Sequence, residues 1–227
     1  MPQWVCFMMV ASPEKSKPDK VPINPRSLWG ARPGDPTTWG TMREALDQQG
    51  KTGRCKRKDG QGEKVTVEGT ICGIGFMFNG NGIVGIDFDH CYQDGQLDPW
   101  VGEWVKRFDS YTEFSPSGTG LHILCRGRLP GRAIKLPEAE MYDQGRFFTV
   151  TGNGPAKPLC EAQEAIDALY AELSTKKYQE KGKPTQCPVL AEAVTLEEVL
   201  TPSASGASRA LVATGAGATR ALPTSLS

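Results

Sequence analysis

The stretch Ile71-Cys-Gly-Ile-Gly-Phe-Met-Phe-Asn-Gly-Asn-Gly-Ile-Val-Gly-Ile-Asp-Phe-Asp-His90 sets the reading of the fold. Two runs rich in β-branched and aromatic residues, 71–78 and 83–89, flank the turn-forming Asn79-Gly-Asn-Gly82, a pattern that predicts a β-hairpin. Side chains two apart on a strand share a face, so Ile86 and Phe88 turn to the core. Asp87 and Asp89 then project together, their Cα atoms ~6.5–7 Å apart. Two carboxylates on a buried strand repel each other and lose hydration. They either share a hard cation or meet solvent or a salt bridge at the strand end. His90 faces away from Asp89 in a regular strand and reads as a supporting residue.

Working outward toward the N-terminus, Trp4 to Ala11 is the longest apolar run. Its eight residues predict a buried first strand, being far short of the ~20 that cross a membrane. No basic segment precedes it and the charged, Pro-containing stretch Pro13 to Pro22 follows, so it reads as a poor signal sequence. Residues Lys17 to Pro36 are rich in Pro and Gly and predict turns and extended chain. Thr41-Met-Arg-Glu44 has the pattern of a capping box and opens a helix that Gly50 ends. The interval Lys51 to Lys64 holds six basic residues against Asp59 and Glu63. It reads as an exposed charged loop or as an arm that contacts phosphates.

Beyond the deciding stretch, Asp98-Pro99 is an N-cap followed by Pro at the first helical position. Trp100, Val101, Trp104, Val105 and Phe108 recur at helical spacing and read as core. Strands are expected at Tyr111 to Phe114 and Leu121 to Cys125, and a second hairpin joins Ala139–Asp143 to Arg146–Thr151 across a Gln-Gly turn. A last amphipathic helix is expected from Glu161 to about Lys177. The interleaving makes the class α+β. The boundaries read as a catalytic domain over 1–157, a C-terminal helix over 158–178 and a linker and low-complexity tail over 179–227, with a brief helix at Thr195 to Leu200. Residues 201–227 contain no acid and no aromatic residue. Such a composition cannot bury enough surface to offset its ordering entropy, so this tail is expected to be disordered.

Lys+Arg and Asp+Glu both number 26, so the chain carries no net charge and any polyanion must be met by a local patch. The seven cysteines are scattered without a C-x-x-C pair, which gives a zinc knuckle no support and favours reduced thiols in a cytosolic setting.

Two further stretches carry chemistry. In Ser115-Pro-Ser-Gly-Thr-Gly-Leu-His122, Gly118 and Gly120 let the backbone approach a ligand while Ser115, Ser117 and Thr119 offer hydroxyls to phosphate oxygens. No Lys of the Walker A kind follows, which disfavours a P-loop nucleotidase. In Glu140-Met-Tyr-Asp-Gln-Gly-Arg-Phe-Phe-Thr-Val-Thr-Gly152, either Glu140 or Asp143 could complete a three-carboxylate site. Arg146 could neutralise a triphosphate with its planar fork.

In this order, the opening strand, Lys20-Val-Pro-Ile-Asn-Pro25, Trp39, Gly85-Ile-Asp-Phe-Asp-His90, Ser115 to His122 and Glu140 to Gly152 resemble the catalytic domain of phage and plasmid primase-polymerases, in the archaeo-eukaryotic primase superfamily. The likeness covers roughly Gln3 to Asn153. It implies a two-module domain whose catalytic sheet is like an RNA-recognition motif. It also implies that Asp87, Asp89 and Glu140 bind two ions of Mg²⁺ or Mn²⁺, with Glu140 matching better than Asp143, and that His122 contacts the nucleotide. On that likeness Ser115, Ser117, Gly118 and Arg146 position phosphates of a dNTP or NTP. Lys51, Arg54, Lys56, Arg57 and Lys58 track a single-stranded DNA template. The implied activity is nucleotide addition to a primer in phage or plasmid DNA replication, in the cytoplasm of a bacterial host, away from membranes and alongside a replicative helicase. Family members often continue into a helical domain that starts primers, whereas the segment here reads as low-complexity, so extension of an existing primer is the expected activity. A metal-dependent nuclease and a non-catalytic single-strand-binding module are the competing readings.

Overall fold

The computed structural model describes residues 2–12, 15 and 17–182 of the chain. The first half contains β1 (Trp4–Val10), β2 (Asp19–Ile23), α1 (Met42–Leu46), β3 (Thr52–Lys58), β4 (Lys64–Asn79), β5 (Ile83–Phe88), β6 (Tyr92–Gln93) and β7 (Gln96–Leu97). The second half contains α2 (Pro99–Phe108), β8 (Tyr111–Phe114), β9 (Leu121–Arg126), β10 (Ile134–Lys135), β11 (Ala139–Tyr142), β12 (Gln144–Val150) and α3 (Gln163–Gly182). The class is α+β, dominated by two antiparallel five-stranded sheets. One has the order β12-β4-β1-β2, with β3 on the outer half of β4; the other runs β10-β11-β5-β9-β8.

Neither expected hairpin forms. β4 pairs with β1 and β12 in the first sheet, while β5 pairs with β9 and β11 in the second. The two hairpins have in effect exchanged partners, and both turns are crossings between sheets. Gly80 and Gly82 take positive φ at the first crossing, and the Gly80 N–H donates to the Asp143 carbonyl at the second, at 2.7 Å. Packing drives the exchange. Phe76, Phe78 and Phe148 of the first sheet lie against Ile83, Leu124 and Tyr142 of the second. Gly85 admits Phe78 and Phe148, since a Cβ there would run into both rings. Apolar periodicity reports that a strand is buried, not which strand it pairs with.

The basic interval 51–64 is also not a loop. It is most of a hairpin, β3 and the start of β4, registered from Thr52 opposite Thr70 to Lys58 opposite Lys64. The Val-Thr-Val-Glu alternation at 65–68 is the β signal that the charges mask.

Local signals are obeyed closely at the helices. Thr41 and Glu44 close the capping box in both directions, at 3.2 and 2.7 Å, although α1 ends at Leu46 before reaching Gly50. The Asp98 carboxylate accepts from the Trp100 and Val101 amides, and α2 buries Val101, Trp104 and Phe108. α3 buries Ile166, Leu169 and Leu173 in the same core and runs to Gly182, past the expected end at 178. Six cysteines, Cys6, Cys55, Cys72, Cys91, Cys125 and Cys160, are free thiols. The expected tail from 183 onward, the helix at Thr195 to Leu200 and Cys187 lie outside the described residues.

Candidate active site

β5 is the central strand of the second sheet, and its register builds the site. Asp87 lies opposite Glu140 of β11 on one side and opposite His122 of β9 on the other, and His122 in turn lies opposite Glu113 of β8. Residues in register share a face of the sheet, so four strands line up Glu140, Asp87, His122 and Glu113 in one row. His122 Nε2 is 3.7 Å from Asp87 Oδ1, and its Nδ1 is 3.1 Å from Glu113 Oε1.

Glu113 is buried and fixed from four directions. It takes hydrogen bonds from the Tyr111 hydroxyl at 2.6 Å, the Thr151 amide at 3.0 Å and the Gly152 amide at 2.9 Å, besides the His122 contact. Burial pushes its carboxyl up, but the bonds from His122, Tyr111 and Gly152 outweigh this and hold it below the ordinary range. With its other neighbours all donors, Glu113 takes the Nδ1 proton of His122, and Nε2 faces Asp87. Sequence reasoning passed over Glu113. Its only signal is a carboxylate inside the short apolar run Tyr111-Thr-Glu-Phe114.

Asp87 is the least satisfied group in the row. Its Oδ1 is buried and has no hydrogen-bond partner. Burial raises its pKa from 3.8 to about 6; the charges of Asp89 and Glu140 add to this, and those of His122 and Lys20 oppose it. Asp87, Glu140 and His122 open into a cleft of about 480 Å³ whose other walls carry Lys20, Pro22, Ala31, Pro33, Tyr142 and Arg146 to Thr149. Thr149 Oγ1 is a second buried atom there with no partner. Glu140 accepts from the Tyr142 hydroxyl at 2.7 Å and pairs with Lys135 at 2.9 Å. Arg146 lies over the Tyr142 ring, 5.2 Å from its centroid. Tyr142, desolvated and bound to Glu140, is pushed up to about 12. Asp143 points elsewhere, accepting from the Leu129 amide.

The other expected residues lie apart from this cleft. β5 ends at Phe88, so Asp89 sits past the strand, exposed, and borders a separate depression with His90, Asp98 and Glu138. The regular strand stops one residue before Asp89, and the left-handed His90, φ 52°, turns the chain after it, yet the charge of Asp89 still acts on Asp87. Ser115, Ser117 and Thr119 form a chain of hydroxyls at 2.9 and 3.0 Å. Gly118, φ 75°, turns this loop, and Gly120 fits it against the Phe88 carbonyl beside Asp89. In the basic hairpin Arg54 pairs with Glu68 and Arg57 with Asp19, while Lys51, Lys56 and Lys58 are exposed.

The donor set suits an ion of the Mg²⁺ kind, which takes one or two carboxylates and completes its shell with water and substrate phosphates. Among the described residues no three His, Cys, Asp or Glu side chains enclose a metal by themselves. The unpartnered Asp87 oxygen, in register with Glu140 and open to the cleft, is a carboxylate donor of the kind such an ion takes.

No family model matches the chain. Over 205 residues it is 29% identical to the DNA primase-polymerase of Nitratiruptor phage NrS-1. The chain carries a phage primase-polymerase-like domain. The match takes in 86% of this chain and 25% of the relative, so the chain spans about a quarter of that protein's length. The row of the primase-polymerase-like domain joins the Asp87 and His122 stretches, which lie 35 positions apart in sequence, with Glu140 from a third.

Proposed function

We propose that this cleft adds nucleotides to the 3′ end of a primer on a single-stranded DNA template, as a DNA-dependent nucleotidyltransferase of phage or plasmid replication. The observation that carries the reading is the buried, unpartnered Asp87 Oδ1 in register with Glu140 and His122. A carboxylate kept in that state loses hydration for nothing unless a cation completes it. Asp87 and Glu140, joined by Asp89 from the strand end, would hold two ions of Mg²⁺ or Mn²⁺. Such a pair, when bound, lowers the pKa of a primer hydroxyl and offsets charge on the triphosphate and departing pyrophosphate.

The protein's own groups do the positioning. Arg146, braced on Tyr142, and Lys20 supply positive charge to the same cleft. His122 presents Nε2 from a ring that Glu113 and Phe148 hold in place. Ser115, Ser117 and Gly118 offer hydroxyls and amides from the strand end. Lys51, Arg54, Lys56, Arg57 and Lys58 lie on the hairpin that would meet the template. In this reading the second sheet is the RNA-recognition-motif-like catalytic sheet of a two-module domain, and a replicative helicase is a partner.

The test is incubation of the full chain with a labelled primer on a single-stranded template, dNTPs and Mg²⁺ or Mn²⁺. Ladders of longer product are expected from the wild type and none from the Asp87→Ala/Asp89→Ala variant. A shortened primer would make the site a nuclease, and an untouched primer despite DNA binding would make it an accessory module.

A further inference from the structure

The segment Trp29 to Pro33 runs from the basic hairpin to the wall of the cleft. Trp29 forms a parallel bridge with Arg54, and Gly30 lies against Cys55, the buried residue on the other face of β3. Trp29 and Arg54 are therefore on the outer face. Alternation along β3 and its register with β4 place Lys56, Lys58 and Lys64 on that face too. Two residues on from Trp29, Ala31 lines the cleft, followed by Pro33. The hairpin is tied to β2 by the Arg57–Asp19 ion pair, and Lys20, next to that Asp, is in the cleft. The indole thus stands between the cleft and a row of cations.

Trp29 is 40% exposed, and its ring contacts no aromatic or cationic partner among the described residues. Its backbone, by contrast, is pinned. The Trp29 carbonyl accepts from the Asn24 amide at 2.7 Å, and the neighbouring Leu28 carbonyl accepts from the Arg54 amide at 2.8 Å. Among the described residues Lys56, Lys58 and Lys64 have no acidic partner, so only Arg54 is neutralised on this face, by Glu68 at 2.7 Å. An exposed indole on a pinned backbone, beside lysines without acidic partners, has the two elements that bind single strands: a flat surface on which a base stacks and positive charge that follows the phosphates.

We infer that Trp29 stacks a base of the template strand where it leaves the cleft, and that Lys56, Lys58 and Lys64 hold the phosphates of the nucleotides beyond it. The inference rests on the template-directed reading of the cleft, but it concerns a different surface. A duplex cannot offer an unstacked base, so the partner is single-stranded DNA.

The experiment is fluorescence anisotropy of a labelled oligothymidylate titrated with the full chain over a range of salt, in EDTA and without nucleotide. Trp29→Ala is expected to weaken binding roughly tenfold, as loss of one stacked base does, without changing the salt slope. Trp29→Phe should recover most of the loss, and circular dichroism checks the fold of each variant. Lys56→Ala/Lys58→Ala should flatten the plot of log affinity against log salt by about 0.7 per lost contact. Binding to duplex DNA should be indifferent to Trp29. Equal affinity of Trp29→Ala and wild type, or an unchanged salt slope in the lysine variant, would overturn the assignment. A wild type that shows this Trp29 dependence yet never elongates a primer would refute the catalytic reading alone. One that elongates with a Trp29-independent affinity would refute this face alone.

Discussion

Replacing Asp87 by Asn should make the metal-free protein more stable at neutral pH. The carboxyl is only 23% exposed, and burial, aided by the charges of Asp89 and Glu140 and opposed by those of His122 and Lys20, raises its pKa from 3.8 to about 6. A folded-state pKa above the unfolded one means that the native protein binds the proton more tightly. The group's favourable contribution is complete below about pH 4 and is lost as pH rises through 6. Above that it is a cost. At about 1.4 kcal/mol per pH unit the ceiling is ~3 kcal/mol, and partial access of water brings the expected range to about 1–3 kcal/mol. Asn has the same shape and no charge to desolvate. Urea unfolding of both proteins in EDTA between pH 5 and 8 should show Asp87→Asn ahead at pH 7.5, by roughly 2–10 °C in a matching thermal melt. The gap should narrow toward pH 5. A variant less stable than wild type at pH 7.5, or a gap that does not change with pH, would refute the argument. Under the two-ion reading, Mg²⁺ or Mn²⁺ should then stabilise the wild type more than the variant.

Other outcomes follow from the same geometry. In Glu113→Gln the side-chain carbonyl keeps the Tyr111, Thr151 and Gly152 donors, so the NH₂ faces His122 Nδ1 and donates to it. Nitrogen-15 NMR should show the His122 proton moved to Nε2 and nucleotide addition reduced, and an unchanged tautomer would show that Glu113 does not set it. Gly85→Ala should destabilise by about 1–3 kcal/mol in denaturant unfolding, because the new methyl meets the Phe78 and Phe148 rings. A neutral effect there would mean that the two sheets are less tightly joined than the aromatic contacts indicate.

How much of this was legible in the sequence depended on whether a signal was local. The capping box at Thr41 and Glu44 and the Asp98-Pro99 start of α2 involve neighbours in the chain, and both formed as read. The apolar runs at 71–78 and 83–88 are strands, yet their pairing was invisible because a strand buried in one sheet has the same composition as a strand buried in another. Only the ring contacts of Phe78 and Phe148 over Gly85 decide it. The β3–β4 hairpin was hidden under its charges. Asp87, His122 and Arg146 could be named from residue type and order, and Glu140 over Asp143 from the family resemblance; the fold brings all four to one cleft. Asp89 could not be placed, since the strand stops one residue short of it. Glu113 gains its meaning only from the β8–β9 register that sets it beside His122.

The central claim is that the Asp87 row performs nucleotide addition. The most direct measurement is single-turnover primer extension by Asp87→Asn beside wild type, with dNTPs and Mg²⁺ or Mn²⁺, on protein first shown by urea unfolding to be folded. Wild type is expected to elongate the primer, and the variant, at least as stable, is expected not to. Elongation by Asp87→Asn at the wild-type rate would contradict that claim.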